Sequence, residues 1–520
     1  MKWKCILALT ALWLGLASTY PAAAQTPGGT LTIRINADIR GTDGLNRDAN
    51  TDTVLHTIFE TLVAYRDDLS IGPLLAQSWT VSDDGRTYTF KLRDDATFHN
   101  GDKVTSADVK WNWDRRVKAG KDWFCNPYFD GSQGLKVESV DTPDDQTVVF
   151  KINEPNALFL AQLANIQCNG WIASPKNVDK DGKWNPDLAI GTGPFKLRDW
   201  TKGQSITLER YADYKPLSEK MSGYAGDRSA YVDEVKFVVI PDTSAAETAL
   251  YAKQIDVLPG FEASRVDEAK QRGMTVLSTP GLSWTPLLIQ TRDLLLKNVK
   301  MRQAIAHAID FSQIAQVRTN GLSLFNPSGV AQASAYFDDS FLTWPKYDPE
   351  ATKKLLAEAG YKGEPITIQT NSRYQGMYDN SVMVQAMLAA AGINAKLETL
   401  DWATQLDNYL AGKFQMQSFG YSARLDPSLL YGILLGDKDE VPTVQWENDK
   451  ALDFVRQSTK VTDPAKRKDL FKQIHALMAE DVPILGLYYE PVIDAVTPDV
   501  TGYNVWAGDK TRAWGVHKDK

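Results

Sequence analysis

A chain of 520 residues with 57 Lys and Arg against 65 Asp and Glu carries a formal charge of −8, and 43% of it is hydrophobic. That profile excludes a disordered chain, and the acidic balance argues against a nucleic-acid partner, whose phosphates need clustered Lys and Arg. The length allows a large core and two to four structural domains. Fifteen Trp and 20 Tyr are more than a core asks for; their flat apolar faces with polar edges suit a pocket that grips a small ligand.

Residues 1–24 read as an export signal. Lys2 and Lys4 form the positive end, Cys5 to Ala17 the apolar run, and Ala22, Ala23 and Ala24 the small-residue cleavage site. The run is short of the about 20 apolar residues that span a bilayer, and Cys5 stands at its start instead of following it, so it is badly placed for lipid attachment. An exported, periplasmic protein without stable membrane insertion is expected. Cleavage removes Lys2 and Lys4 and takes the charge from −8 to −10. Cys125 and Cys168 then remain, and an oxidising compartment predicts one disulfide between them. Closing a loop of about 44 residues stabilises by about 3–4 kcal/mol on the chain-entropy account.

In chain order, Thr30 to Ile35 alternates as a strand, with Leu31, Ile33 and Ile35 on one face. A polar loop, Asn36 to Asn50, follows, and Val54 to Val63 reads as a helix. Trp79–Val81 and Thr87–Leu92 form a hairpin around Asp83, Asp84 and Gly85. Thr105 or Ser106 caps a helix over 107–117 that carries Trp111 and Trp113. Val137–Val140 and Thr147–Ile152 make a second hairpin. Strands return at 195–198, 205–209 and 235–240, then a helix at 244–252 and a short strand at 255–258.

From about Leu287 the rhythm becomes alternating strand and helix. Residues 301–309 are helical. Asp348 caps a helix that Pro349 opens and Gly360 ends. A strand at 366–369, a helix at 381–391 and a strand at 395–399 form a βαβ unit, which requires parallel pairing. Asp463 and Pro464 start another capped helix to Met478, and 484–489 returns as a strand. The pass predicts two α/β lobes with a β-rich insertion in the first, and ligands of such folds sit in the crevice between lobes.

Catalytic signatures are missing. There is no GxSxG elbow, HExxH or Walker A loop, and the five His are scattered. No cofactor, metal or enzymatic activity is expected. A secreted hydrolase would need a constellation that this chain does not display.

The stretches PLLAQSW (73–79), SDDGRTYTFKLR (82–93), FHNGD (98–102) and TSADV (105–109) closely resemble the signature of the family 5 extracellular solute-binding proteins. These are the dipeptide-, oligopeptide- and nickel-binding receptors of bacterial ABC importers. GTGPF (191–195), NVKMRQAI (298–305) and the helix ending at Gly360 extend the resemblance over essentially the whole mature chain. It implies an α/β, two-lobe periplasmic binding protein fold of the cluster C type, with three structural domains and a hinge-closing cleft. Residues 25–70, 190–285 and 490–520 would build a discontinuous lobe I domain, 71–189 its β-rich insertion, and 286–489 lobe II. The implied partners are a small solute and the transmembrane permease, and the implied state is a monomer.

Peptide receptors of this family place an acidic residue three positions before an (Asp/Glu)-Pro pair, where it meets the ligand's α-ammonium. Here the pair is Asp426 and Pro427, and Ala423 stands where the acid would be. Arg424 is the new feature, since a guanidinium can hold a carboxylate through two parallel hydrogen bonds. Tyr421, Trp284 and Trp402 are candidate cleft walls, Asp38 and Asp43 candidates from the polar loop, and Asp426 a candidate that could equally cap its helix. The expected ligand is a peptide or peptide-like solute, carboxylated if Arg424 meets it. An opine, an oligosaccharide and a nickel or haem chelate remain open within the same fold.

Overall fold

The structure, a computed structural model, describes residues 28–519, and the expected export signal lies outside the described residues. Its centre is a ten-stranded sheet whose middle pair runs through both lobes. Thr275–Ile289 and Ile484–Val496 lie antiparallel, 15 and 13 residues long. On one side of this pair stand Val257–Pro259, Thr30–Ile35, Glu234–Val239, Ser205–Arg210 and Phe195–Thr201. On the other stand Met416–Ser418, Ile366–Asn371 and Ala395–Leu400. Thr30–Ile35 buries Leu31, Ile33 and Ile35, as its alternation requires. Ile366–Asn371 and Ala395–Leu400 pair in parallel across the helix Gln375–Ala390, the predicted βαβ unit.

A separate four-stranded antiparallel sheet carries the insertion, with Ala76–Val81, Thr87–Leu92, Thr147–Ile152 and Val137–Asp144 side by side. The helix Ser106–Ala119 covers it, opened by a capping box between Thr105 and Asp108. Trp113 from that helix meets Trp123, Phe129 and Phe150 edge-on in the insertion core. Cys125 and Cys168 are joined in a disulfide, as the compartment argument expected.

Several elements differ from expectation, among them the βαβ helix, expected at 381–391, which begins at Gln375. The helix expected at 54–63 runs Ala49–Ile58, because the Asp48 side chain accepts from the Thr51 N–H and starts it earlier; Val63–Tyr65 is already a strand. The strand expected at 484–489 continues through Glu490 and Pro491 to Val496. The long strand Thr275–Ile289 was hidden by Pro280, Gly281 and Pro286, which read as loop punctuation but here mark the irregular stretch where pairing shifts register. Among the described residues no helix is long and apolar enough to cross a membrane.

Candidate functional site

The two central strands lose register where they pass from one lobe to the other. Pro280 pairs with Pro491 and Trp284 with Tyr489, which leaves Gly281, Leu282 and Ser283 opposite Glu490 alone. A Cβ on Gly281 would collide with the Glu490 carbonyl oxygen, so this crossing needs glycine. A cleft of about 960 Å³ opens over this point. Gly281, Leu282, Ser283 and Glu490 border it; Arg47, Phe124 and Asn165 line one wall, and Arg318 and Ser422 to Leu425 another.

The Arg424 wall is held at both ends. Tyr421 pairs with Trp284 through two backbone hydrogen bonds of 2.8 and 3.0 Å, as a one-residue extension of the sheet. Asp426 then caps the helix Pro427–Leu434 by accepting from the Ser428 N–H. The chain between must bridge the cleft edge, and Ala423 and Arg424 face the space. The Arg424 Nη1 donates to the carbonyls of Ser422 and Ala423, both at 3.2 Å. Among the described residues no carboxylate pairs with it. Its guanidinium keeps donors for an anion.

The opposite wall depends on the disulfide. Cys125 and Cys168 tie the loop carrying Phe124 and Tyr128 to the turn carrying Asn165 and Gln167, all of which border the cleft. Arg47 lies over the Phe124 ring at 4.7 Å and binds Asp52 at 2.6 Å. At the hinge, the Thr285 hydroxyl donates to Glu490 at 3.0 Å. Burial by the surrounding walls pushes the Glu490 carboxyl above its usual range even though its side chain reaches cleft water.

Of the seven residues singled out from sequence, Arg424 alone lines this cleft. Trp284 is fully buried in the lobe II core, its indole N–H donating to the Asn326 carbonyl at 3.2 Å. Tyr421 is buried beside it. Trp402 opens the helix Trp402–Leu410 and packs edge-on against Tyr374, away from the cleft. Asp38 accepts from the Trp200 indole at 3.0 Å and the Gly203 N–H at 2.7 Å, fastening its loop to a hairpin. Asp43 forms a two-pronged pair with Arg115 at 2.9 and 2.6 Å. Asp426 is buried and forked by Arg467 at 2.8 and 2.9 Å. Each of these three carboxylates already has its partner inside the protein.

Sequence reasoning missed Arg47, Phe124 and Glu490. Arg47 lies in the polar loop that was singled out, though for its carboxylates. Phe124 adjoins Cys125, and its exposed ring follows from where the disulfide holds that loop. Glu490 beside Pro491 gave no local signal, since its position depends on strand pairing with residues 280–284.

Two lobes joined by paired strands, with a large cleft at their crossing, define a solute receptor of the hinge-closing class. Residues 70–440 match the bacterial extracellular solute-binding proteins, family 5 Middle, and the chain belongs to that family. It is 26% identical over 495 residues to the dipeptide-binding protein of Escherichia coli (strain K12), covering 89% of each chain. Its fold superposes on the periplasmic binding protein DppA from Helicobacter pylori in complex with the peptide STSA, at 27% identity and TM-score 0.67, covering 95% of this chain and 99% of that one. The unliganded open form of the murein tripeptide binding protein MppA gives a TM-score of 0.81 at 20% identity, covering 95% and 99%. Members of the family bind small solutes or peptides and deliver them to ABC permeases, and this chain is a binding protein of that import system.

Proposed function

We propose that this chain works in the periplasm as a monomer, after removal of residues 1–24, and captures a peptide or peptide-like solute whose carboxylate meets Arg424. The lobes close over the solute by rotation about residues 281–285 and 490, and the closed form docks on the permease. Residues 25–70, 190–285 and 490–520 form one domain with 71–189 inserted, and 286–489 the other, with the hinge at their boundary. No bond in the solute is broken.

The carrying observation is the cleft of about 960 Å³ at the crossing of the two strands that join the lobes. A solute that touches both walls binds the closed state better than the open one, and that difference in affinity drives closure. The support for a carboxylated solute is Arg424, which faces the cleft without a carboxylate partner among the described residues.

Small-angle scattering and calorimetry test the reading together. Adding peptides to the mature protein should give saturable heat and a smaller radius of gyration, with the solute recovered intact. A rigid particle that binds none of the peptides, or hydrolysis of any of them, would refute it.

A further inference from the structure

We propose that Glu490 receives an ammonium group of the solute while Arg424 takes its carboxylate, so that the receptor selects a zwitterion laid across the hinge. This deepens the receptor reading and rests on it.

Glu490 occupies the strand irregularity opposite Gly281, Leu282 and Ser283, with Tyr489 buried before it and Pro491 after it. Its side chain accepts one hydrogen bond, from Thr285 at 3.0 Å, and borders the cleft. Among the described residues no Lys or Arg comes within ion-pair distance. Arg318 borders the same cleft, but it is committed to Asp379 at 2.8 Å and reaches Glu490 only through space. A second carboxylate, Glu262, also borders the cleft and adds repulsion to the burial that raises Glu490. The hinge side of the cleft thus sets two carboxylates, Glu490 and Glu262, against Arg318, whose charge is shared with Asp379.

Arg424 presents the opposite case, a cation facing the same space with only carbonyl partners. The two do not pair with each other. Opposite charges that border one cleft without pairing to each other leave both free for a ligand that carries both signs. Lys510 also borders the cleft, with its ammonium donating to the Asp509 carbonyl. Asp509 lies beside it on the same wall, so that wall adds no net charge.

The strand order places Glu490 relative to Ala423. Ala423 lies two residues beyond Tyr421, which pairs with Trp284, which pairs with Tyr489. Glu490 thus lies about two strand spacings, roughly 10 Å, across the sheet from the 421–423 segment. A ligand ammonium would sit over the hinge strands instead of beside the 421–426 segment.

The test uses the mature protein and a library of di- to tetrapeptides in free, N-acetylated and C-amidated forms. Native mass spectrometry reads retention, and calorimetry reads the affinity of the retained peptides. The wild type should bind free peptides at least about tenfold tighter than their N-acetylated forms. Glu490→Gln should erase that preference while leaving the melting temperature unchanged. Equal affinity of the wild type for free and acetylated peptides would overturn the proposal, and so would an unchanged preference in Glu490→Gln. Retention of neutral sugars or a metal chelate, with no peptide bound, would overturn the zwitterion but leave the receptor intact. Only failure to bind or close on any solute would reach the receptor reading itself.

Discussion

The imidazole of His99 is locked against Gly191: the Gly191 N–H donates to Nδ1 at 3.2 Å, and the His99 N–H donates to the Gly191 carbonyl at 2.9 Å. Nε2 meets the Gly193 carbonyl at 3.0 Å. The FHNGD and GTGPF stretches are thereby one structural unit. A Cβ on Gly191 would strike the Ile58 carbonyl, which explains the glycine there.

This geometry suits only the neutral ring, because a proton on Nδ1 would face the Gly191 N–H. Burial is the main cause that lowers the His99 pKa to about 4. The unfolded chain takes up its proton near pH 6.5, so the stability from His99 is full above that pH and is lost as pH falls toward 4. The loss between pH 7 and 5 should be about 2 kcal/mol. Thermal scans at both pH values should show a larger drop in melting temperature for wild type than for His99→Gln. Equal drops would count against the assignment.

Asp426 and Arg467 form a buried fork in which burial alone would raise the carboxyl pKa, yet the guanidinium and the Ser428 hydroxyl outweigh it and hold it below the usual range. Asp426→Ala strands a buried cation and should cost about 3–5 kcal/mol. The melting temperature should fall sharply, as thermal scans of the variant beside the wild type would show. The stability of this pair is present at neutral pH and is lost as acid protonates Asp426 below its unfolded pKa.

Reduction of Cys125–Cys168 should remove about 2–5 kcal/mol and also loosen the wall that carries Phe124 and Asn165. The double Cys→Ser variant is expected to melt lower and to bind solute more weakly. Thiol titration of the oxidised mature protein should find no free thiol.

Arg424→Ala should weaken an anionic solute by more than about tenfold, the loss of about one charge-assisted contact. The melting temperature should barely move, since the guanidinium binds only two adjacent carbonyls. Calorimetry with unchanged affinity would remove Arg424 from the site.

Local features were legible in the chain because their causes are local. Thr105 capping Ser106–Ala119, Asp348 and Gly360 bounding Pro349–Ala359, and the hairpin of Thr87–Leu92 each follow from a few neighbouring side chains. The long strand Thr275–Ile289 was not, since Pro280, Gly281 and Pro286 tell of a strand only when Ile484–Val496 lies beside them.

By itself the sequence determined the family, many of the local elements and the disulfide, which depend on short-range pattern, motif and compartment. Only the tertiary structure decided which charges face the cleft unpaired. Asp38, Asp43 and Asp426 are spent on residues 162, 72 and 41 positions away. Glu490 and Arg424 are left over at the cleft because no such partner reaches them among the described residues. Whether a charge is neutralised depends on distance in space, which the order of residues along a chain does not contain.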